Sequence, residues 1–209
     1  MTSVIRLLLA EDQAMIREAL ATLLGLEADL EVVATVGRGD EVLGALAAAE
    51  QEGRAVHVAL LDIEMPGLDG ICAAEQAHAA YPDLRIVILT TFGRPGFLRR
   101  AMEAGASAFL VKDAPAARLA EAVRRVVAGE RVIDPDLAAA ALADGVNPLT
   151  SRERDVLLAS AGGATNAEIA AKLCLSEGTV RNYLSACIQK TGTRNRTEAL
   201  TLAKAKGWL

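Results

Sequence analysis

Three carboxylates follow directly after two apolar runs. If the two runs are neighbouring strands, the three side chains lie close enough to act together. The run at 56–61 leads directly into Asp62, and the run at 4–10 leads into Glu11 and Asp12. In an open parallel α/β sheet, the carboxyl ends of the strands face the crevice where ligands bind. Clustered carboxylates repel one another unless a cation compensates, and oxygen ligands suit Mg²⁺ or Mn²⁺. The pattern therefore predicts a divalent-cation site at the strand ends.

Two later runs add a hydroxyl and an amine to the same edge. Thr90 directly follows the run at 85–89, and Lys112 follows the run at 108–111. With a cation and Lys112 drawing charge, Asp62 could attack a phosphorus atom while Thr90 hydrogen-bonds a phosphoryl oxygen. Each residue alone is more often a helix cap, a strand former or a solvated lysine. Their joint placement on one edge favours aspartyl phosphorylation.

The elements that must position these residues alternate along the first 128 residues. Each apolar run of strand length is followed by a pattern with helical spacing, such as Ile16, Leu20 and Leu23. This alternation with short loops predicts a five-stranded, parallel, doubly wound sheet. Strands are predicted at 4–9, 31–36, 56–61, 85–89 and 108–111, and helices at 14–26, 40–51, 70–80, 95–104 and 115–128.

Taken in order, these motifs resemble the receiver domain of bacterial two-component response regulators, a flavodoxin-like α/β domain. The matching positions are Glu11-Asp12 as the acidic pair, Asp62 as phosphoacceptor, Met65-Pro66-Gly67 as the following loop, Thr90 as switch hydroxyl, Phe109 as switch aromatic residue and Lys112-Asp113 after the fifth strand. The resemblance implies a Mg²⁺ or Mn²⁺ site formed by Glu11, Asp12, Asp62 and the backbone carbonyl of Glu64. Asp12, Asp62 and that carbonyl would be the direct ligands.

Charge changes sign along the 209 residues. Residues 1–128 hold 12 Lys and Arg against 18 Asp and Glu, residues 129–147 hold 1 against 4, and residues 148–209 hold 9 against 5. The net charges are therefore −6, −3 and +4. A basic C-terminal part favours a polyanionic partner. Turn-forming residues bracket an alanine-rich stretch at 137–143, so we predict a linker at 129–147 with one short helix between domains at 1–128 and 148–209.

Helix starts are well marked after residue 148. Three segments place a capping oxygen three residues before a glutamate, namely Thr150 to Glu153, Thr165 to Glu168 and Asn195 to Glu198. A fourth start at Ser176 follows a three-residue turn at 174–176, which fits a helix-turn-helix. The predicted all-α domain has helices at 151–161, 166–173, 177–190 and 196–206.

The segments at 149–153, 165–170 and 175–183 resemble the LuxR-type four-helix DNA-binding domain. With a receiver upstream, the whole chain is similar to the NarL/FixJ class of response regulators. The resemblance places Arg181, Asn182 and Ser185 in the major groove, where Arg suits guanine and Asn suits adenine. The residues assigned to DNA phosphates are Lys172, Lys190, Arg194 and Arg196.

The predicted function is a transcriptional regulator that is not an enzyme, apart from taking a phosphoryl group onto Asp62 and slowly losing it. The implied partners are a sensor histidine kinase, double-stranded promoter DNA and, after phosphorylation, a second copy of the chain. The segment at 90–100 resembles the branch that contains regulators of membrane-lipid desaturation. Alternatives are a regulator of the same fold controlled without phosphorylation, a phosphatase of the haloacid dehalogenase type, and an adaptor that binds protein instead of DNA.

Other features narrow the class of protein. No apolar run approaches the roughly 18 residues of a membrane span, and the N-terminus lacks the regions of a signal peptide, so we expect a cytoplasmic protein. Three widely spaced cysteines support neither a disulfide framework nor a zinc site. Gly37-Arg38-Gly39 lacks the glycine spacing of a dinucleotide site, so a turn is predicted there.

Overall fold

The computed structural model describes residues 4–91, 95–112, 116–143 and 147–209. These residues fall into two compact units, one built on a parallel β-sheet and one helical. The sheet has the strand order β2-β1-β3-β4-β5-β6, and every neighbouring pair is parallel. Its strands are β1 (Ile5–Ala10), β2 (Leu30–Val36), β3 (Val58–Asp62), β4 (Arg85–Thr90), β5 (Ala108–Val111) and β6 (Val132–Ile133).

Helices connect the strands, as the alternating pattern predicted. They are α1 (Ala14–Gly25), α2 (Val42–Gln51), α3 (Gly70–Ala80), α4 (Pro95–Glu103) and α5 (Ala116–Val127). One short 3-10 turn, Gly39–Glu41, precedes α2. Contacts pair α1 with α5 and α2 with α3, so helices cover both faces of the sheet. The predicted doubly wound α/β fold is confirmed.

The sheet has one strand more than the predicted five. Val132 and Ile133 form β6 beside Ala108 and Phe109 of β5. A two-residue strand has no measurable period, so the sequence pattern could not indicate it. Helix α6 (Pro135–Ala143) follows it at once.

Burial explains why β3 can present a single acid at its end. All five residues of β3 are buried, as expected for a central strand of a parallel sheet with both faces covered. The core on one face combines residues from the strands with α1 and α5, among them Leu7, Leu60, Val87 and Val123. The strand ends are therefore rigidly held.

Four helices form the second unit, and their ends follow the predicted capping logic. They are α7 (Ser151–Ala159), α8 (Asn166–Leu173), α9 (Glu177–Thr191) and α10 (Arg196–Ala205). Reciprocal capping boxes join Thr150 with Glu153 and Thr165 with Glu168. At α10 only half of the box forms, because Asn195 caps the N–H of Glu198 while the Glu198 carboxylate accepts from the N–H of Arg194.

Turn chemistry and packing complete this unit. Cys174 ends α8 in the left-handed conformation with φ 54°, and Gly192 ends α9 with φ 64°. Buried residues from all four helices share one core that includes Val156, Ile169 and Val180. The predicted four-helix unit is confirmed, including the turn between α8 and α9.

Several sequence features lie outside the described residues. These are Asp113, residues 92–94 of the segment that resembles the desaturation branch, and the Asp144-Gly145-Val146 turn of the predicted linker. Among the residues that the structure describes, no helix is long and apolar enough to cross a membrane.

Candidate functional site

The carboxyl edge of the sheet brings together acids and a lysine from three strand ends. Glu11 follows β1, Asp62 ends β3 and Lys112 follows β5. The Lys112 ammonium lies 2.6 Å from Oε2 of Glu11 and 2.9 Å from Oδ2 of Asp62. Glu11 is fully buried and Asp62 is 4% exposed, so both carboxylates are largely shielded from water. The predicted convergence of strand ends is present in the geometry.

Asp12 completes a cluster of three carboxylates. One oxygen each from Glu11, Asp12 and Asp62 lies within 4.8 Å of the others. When ionised, the three acids carry three negative charges, whereas Lys112 contributes one positive charge. A divalent cation would balance the remaining two charges, and the ligands are all oxygen, as Mg²⁺ prefers. The residues therefore fit the implied metal.

Burial and pairing shift the pKa of both members of the central ion pair. Burial raises the pKa of Asp62, and the nearby Lys112 only partly opposes that effect. Burial alone would lower the pKa of Lys112, but its hydrogen bonds to Glu11 and Asp62 raise the pKa overall. The ammonium therefore stays charged, and it faces a carboxylate that lacks full solvation.

The predicted switch residues lie on the neighbouring strands. Thr90 ends β4 and is 3% exposed, and its carbonyl accepts a hydrogen bond of 2.8 Å from the backbone N–H of Lys112. Phe109 lies in β5 opposite Ile88 and is fully buried. The backbone thus links the threonine directly to the lysine that contacts Asp62.

Tight backbone contacts fix the loop at 63–69, which we call the acceptor loop. Asp69 caps α3 by accepting the N–H of Cys72 at 2.7 Å. A Cβ on Gly70 would lie 1.8 Å from the Asp62 carbonyl oxygen, so only glycine allows this approach. Glu64 is exposed within this loop. The loop is held at its end by a cap and a close backbone contact.

One arginine at this edge was not identified from the sequence. Arg17 of α1 donates a hydrogen bond from its guanidinium to the backbone carbonyl of Glu11. The residue lies on a predicted amphipathic helix, and its partner is a main-chain atom. No side-chain motif could signal such a contact. Arg17 secures the segment that carries Glu11 and Asp12.

The helical unit exposes one face of α9. Arg181, Asn182 and Ser185 are exposed, whereas Val180 and Leu184 of the same helix are buried in the core. Helical spacing separates the two sets. The three predicted groove-facing residues therefore share an accessible surface.

The four residues predicted to contact DNA phosphates differ in their surroundings. Lys172 is exposed on α8. Lys190 forms a 2.8 Å ion pair with buried Glu153, and Arg196 donates to the carbonyl of Ala164 at 2.9 Å. Arg194 pairs with Glu198 at 2.7 Å while its side chain stays 87% exposed. Lys190 and Arg196 thus also hold the helical unit together, which their positions in the sequence did not reveal.

Comparison with known families divides the chain in the same way. Residues 7–124 match the model of the response regulator receiver domain. Residues 147–203 match the model of bacterial regulatory proteins of the luxR family. The two matches together span most of the chain.

Individual proteins align over nearly the full length. The uncharacterized transcriptional regulatory protein YvfU of Bacillus subtilis is 44% identical, covering 98% of this chain and 100% of the relative. The transcriptional regulatory protein DesR of the same organism is 42% identical, with 98% of each chain covered. The crystal structure of the response regulator ChrA from a heme-sensing two-component system is 33% identical, with a TM-score of 0.56 and full coverage of both chains.

Proposed function

The chain belongs to the two-component response regulators that join a receiver domain to a luxR-family output domain, and we propose that phosphorylation of Asp62 controls its binding to promoter DNA. It is a DNA-binding transcriptional regulator and not a classical enzyme. The single observation that carries the proposal is the buried pairing of Asp62 with Lys112 beside two further carboxylates.

The phosphoryl transfer uses Asp62, Lys112 and Thr90, which lie at the carboxyl ends of three neighbouring strands. A carboxylate oxygen of Asp62 forms a bond to phosphorus as the bond from phosphorus to the donor breaks. The donor is a phosphohistidine of a sensor kinase or acetyl phosphate. Lys112 neutralises one phosphoryl oxygen, and the Thr90 hydroxyl donates a hydrogen bond to another. These side chains contribute to the transfer by positioning and by charge.

Glu11, Asp12, Asp62 and the carbonyl of Glu64 would hold Mg²⁺ or Mn²⁺. When bound, the ion neutralises charge on the phosphoryl oxygens and on the acids. The surplus negative charge of the three carboxylates supports this assignment. Arg17, through the Glu11 carbonyl, keeps the acidic segment in position for the ion.

The switch follows from the new group on Asp62. The phosphoryl group draws the Thr90 hydroxyl toward it, and Phe109 on the neighbouring strand adjusts with it. The altered receiver surface then shifts the population from monomers toward dimers. Two output domains can occupy adjacent half-sites, which gives the affinity that one small domain lacks. Phosphorylation thereby favours promoter binding.

DNA recognition falls to α9. Arg181, Asn182 and Ser185 face the major groove and read bases, while Lys172, Lys190, Arg194 and Arg196 contact phosphates. We place the receiver at 1–128, the linker at 129–147 and the output domain at 148–209, with Val132 and Ile133 of the linker pairing with the receiver sheet, in a protein that acts in the cytoplasm. The similarity to DesR is consistent with the branch that residues 90–100 indicated.

The phosphoacceptor is tested by mass analysis of the full chain. Incubation with acetyl phosphate and Mg²⁺ should add one phosphoryl group, peptide mapping should locate it on Asp62, and sedimentation should show more dimer. Phosphate on another side chain, or unchanged sedimentation of fully phosphorylated protein, would overturn the proposal. Asp62→Asn that binds and controls promoters as the wild type does would favour the regulator controlled without phosphorylation.

The DNA-reading surface is tested by footprinting genomic DNA with the phosphorylated protein. Arg181→Ala should remove the footprint, whereas Arg152→Ala, an exposed arginine paired with Asp155 on α7, should leave it. Binding should weaken with salt, because phosphate contacts release counterions. Equal footprints from both variants would show that α9 does not read the sequence.

A further inference from the structure

The turn between β2 and α2 lies directly against the acceptor loop. The backbone N–H of Gly39 donates to the carbonyl of Pro66 at 3.3 Å. A Cβ on Gly39 would lie 1.9 Å from the carbonyl oxygen of Leu68, so the two backbones can approach only because residue 39 is glycine. The segment Gly37-Arg38-Gly39, for which a turn was predicted, has an extended Arg38 and leads into the 3-10 turn Gly39–Glu41, whose first residue packs on the loop that follows Asp62.

An ion pair extends this contact across the acceptor loop. Arg38 donates to Asp40 through Nε at 2.9 Å and through Nη2 at 2.8 Å, a two-point geometry that fixes both side chains. A Cβ on Gly67 would lie 2.5 Å from Oδ1 of Asp40 and 2.6 Å from Nη2 of Arg38. The pair therefore lies against the backbone of Gly67, which has a φ of +79°.

We propose that Arg38 and Asp40 are positioning residues for phosphoryl transfer, because their ion pair holds the acceptor loop where the Glu64 carbonyl can serve the cation. The proposal rests on the function proposed above, since the loop matters only if Asp62 is the phosphoacceptor. Neither side chain touches the reacting atoms. Both act through the backbone of Gly67, three residues after Glu64.

Because the Arg38–Asp40 pair is exposed, its effect on the position of the loop can be measured without a large effect on the stability of the protein. The two side chains are 46% and 49% exposed, so their loss should change global stability little. A matched control lies at the opposite end of β2, where Arg54 pairs with Glu31 at 2.9 Å with side chains 42% and 45% exposed. Loss of either pair costs the same kind of surface interaction. Of these two pairs, Arg38–Asp40 lies against the acceptor loop and Arg54–Glu31 lies at the other end of β2.

The experiment compares Asp40→Asn with Glu31→Gln in the full chain. Mn²⁺ affinity is read from the electron paramagnetic resonance signal of the free ion, loop order from hydrogen exchange of peptides covering 63–69, and transfer from acetyl phosphate uptake at several Mg²⁺ concentrations. Asp40→Asn should weaken Mn²⁺ binding about tenfold, the low end for groups that orient metal ligands, and should speed loop exchange. Saturating Mg²⁺ should restore much of the phosphorylation rate. Glu31→Gln should match the wild type in all three.

Two results would overturn the proposal while the proposed function stands. One is wild-type Mn²⁺ affinity in Asp40→Asn; the other is equal weakening by Glu31→Gln. Faster loop exchange without a change in Mn²⁺ affinity falls under the first result, because the contact would then be purely structural. Failure of the proposed function looks different, since the wild type itself would then take up no phosphoryl group on Asp62.

Discussion

Each of the two units pairs a buried glutamate with a lysine, but the balance of charge around the two pairs differs. In the receiver, Lys112 lies 2.6 Å from fully buried Glu11. In the helical unit, Lys190 lies 2.8 Å from Glu153, which is 5% exposed. The sequence signals also differ, because Glu11 stands beside another acid whereas Glu153 stands in a capping box.

The difference lies in how the negative charge is shared. Glu153 has its own lysine, and its carboxylate also accepts the N–H of Thr150 at 2.6 Å. Glu11 shares Lys112 with Asp62 and lies in a cluster with Asp12, and its other oxygen accepts a long 3.3 Å bond from the N–H of Gln13. The Glu153–Lys190 pair has no net charge and its carboxylate is hydrogen-bonded, so it stabilises the helical unit. The second pair keeps surplus negative charge, which a divalent cation would balance.

Asp62→Asn tests the receiver pair most directly, because it should abolish phosphorylation completely. The substitution also removes one of the clustered charges, so the melting temperature of the metal-free protein should hold or rise. Intact-mass analysis after acetyl phosphate treatment and calorimetric melting measure the two effects. Asp83→Asn, exposed before β4, serves as the control that still takes up phosphate. Phosphate uptake by Asp62→Asn would contradict the assignment.

Glu153→Gln should destabilise the helical unit by about 1.5–3 kcal/mol, the usual contribution of hydrogen bonds to charged groups. Trp208 is the single tryptophan of the sequence and packs on the core of this unit, so its fluorescence during urea unfolding reports on that unit. The matched control is Glu168→Gln, which alters an exposed capping box without a lysine partner among the residues that the structure describes and should cost much less. Equal losses in both variants would show that the Lys190 pair adds nothing.

Acidification should weaken the helical unit through the same residue. Burial alone would raise the pKa of Glu153, but Lys190 and Thr150 lower it overall. A depressed folded pKa gives stability that is present above the ordinary value of 4.5 and is lost as the pH falls through the folded value. The urea midpoint measured by Trp208 fluorescence should decrease as the pH falls below 4.5, and it should decrease less steeply in Glu153→Gln. Parallel pH curves for the two proteins would contradict this origin.

The smallest expected change in stability comes from Glu11→Gln, at under about 1 kcal/mol without metal. Lys112 keeps Asp62 as its partner, and relief of carboxylate repulsion offsets the lost pair. Mn²⁺ binding should nevertheless weaken clearly. Calorimetric melting and Mn²⁺ titration check the two statements. A loss of stability as large as that of Glu153→Gln would remove the distinction between the two pairs.

Most of the helices and strands can be predicted from the sequence pattern, because hydrophobic periodicity and helix capping depend on residues close together in the chain. The five predicted strands and the helices after them are present, and the four later helices begin at the predicted residues. Non-local contacts could not be predicted in this way. Nothing in the sequence indicates the ion pair of Lys190 with Glu153 across 37 positions, and the DNA contact of Lys190 stays a prediction. The contact of Arg17 with a backbone carbonyl was equally hidden.

The site divides along the same line. The strand-end rule brings Glu11, Asp12, Asp62 and Lys112 to one edge from the sequence alone. The support around them comes from close backbone approaches, such as Gly39 to Leu68 and Gly70 to Asp62, which no sequence pattern indicates. The residue types at the strand ends predict the chemistry of the site. The loop contacts that hold those residues in place depend on distances that the sequence does not give.

The short strand β6 bears on how the receiver can be isolated. Its pairing covers Ala108 and Phe109, and the N–H of Val132 donates to the carbonyl of Ser107 at 3.0 Å. A fragment that stopped at residue 128 would leave β5 as a bare sheet edge, open to strand addition by a neighbouring molecule. A fragment that extended past Ile133 would keep β6 paired with β5, and it should resist aggregation better during purification.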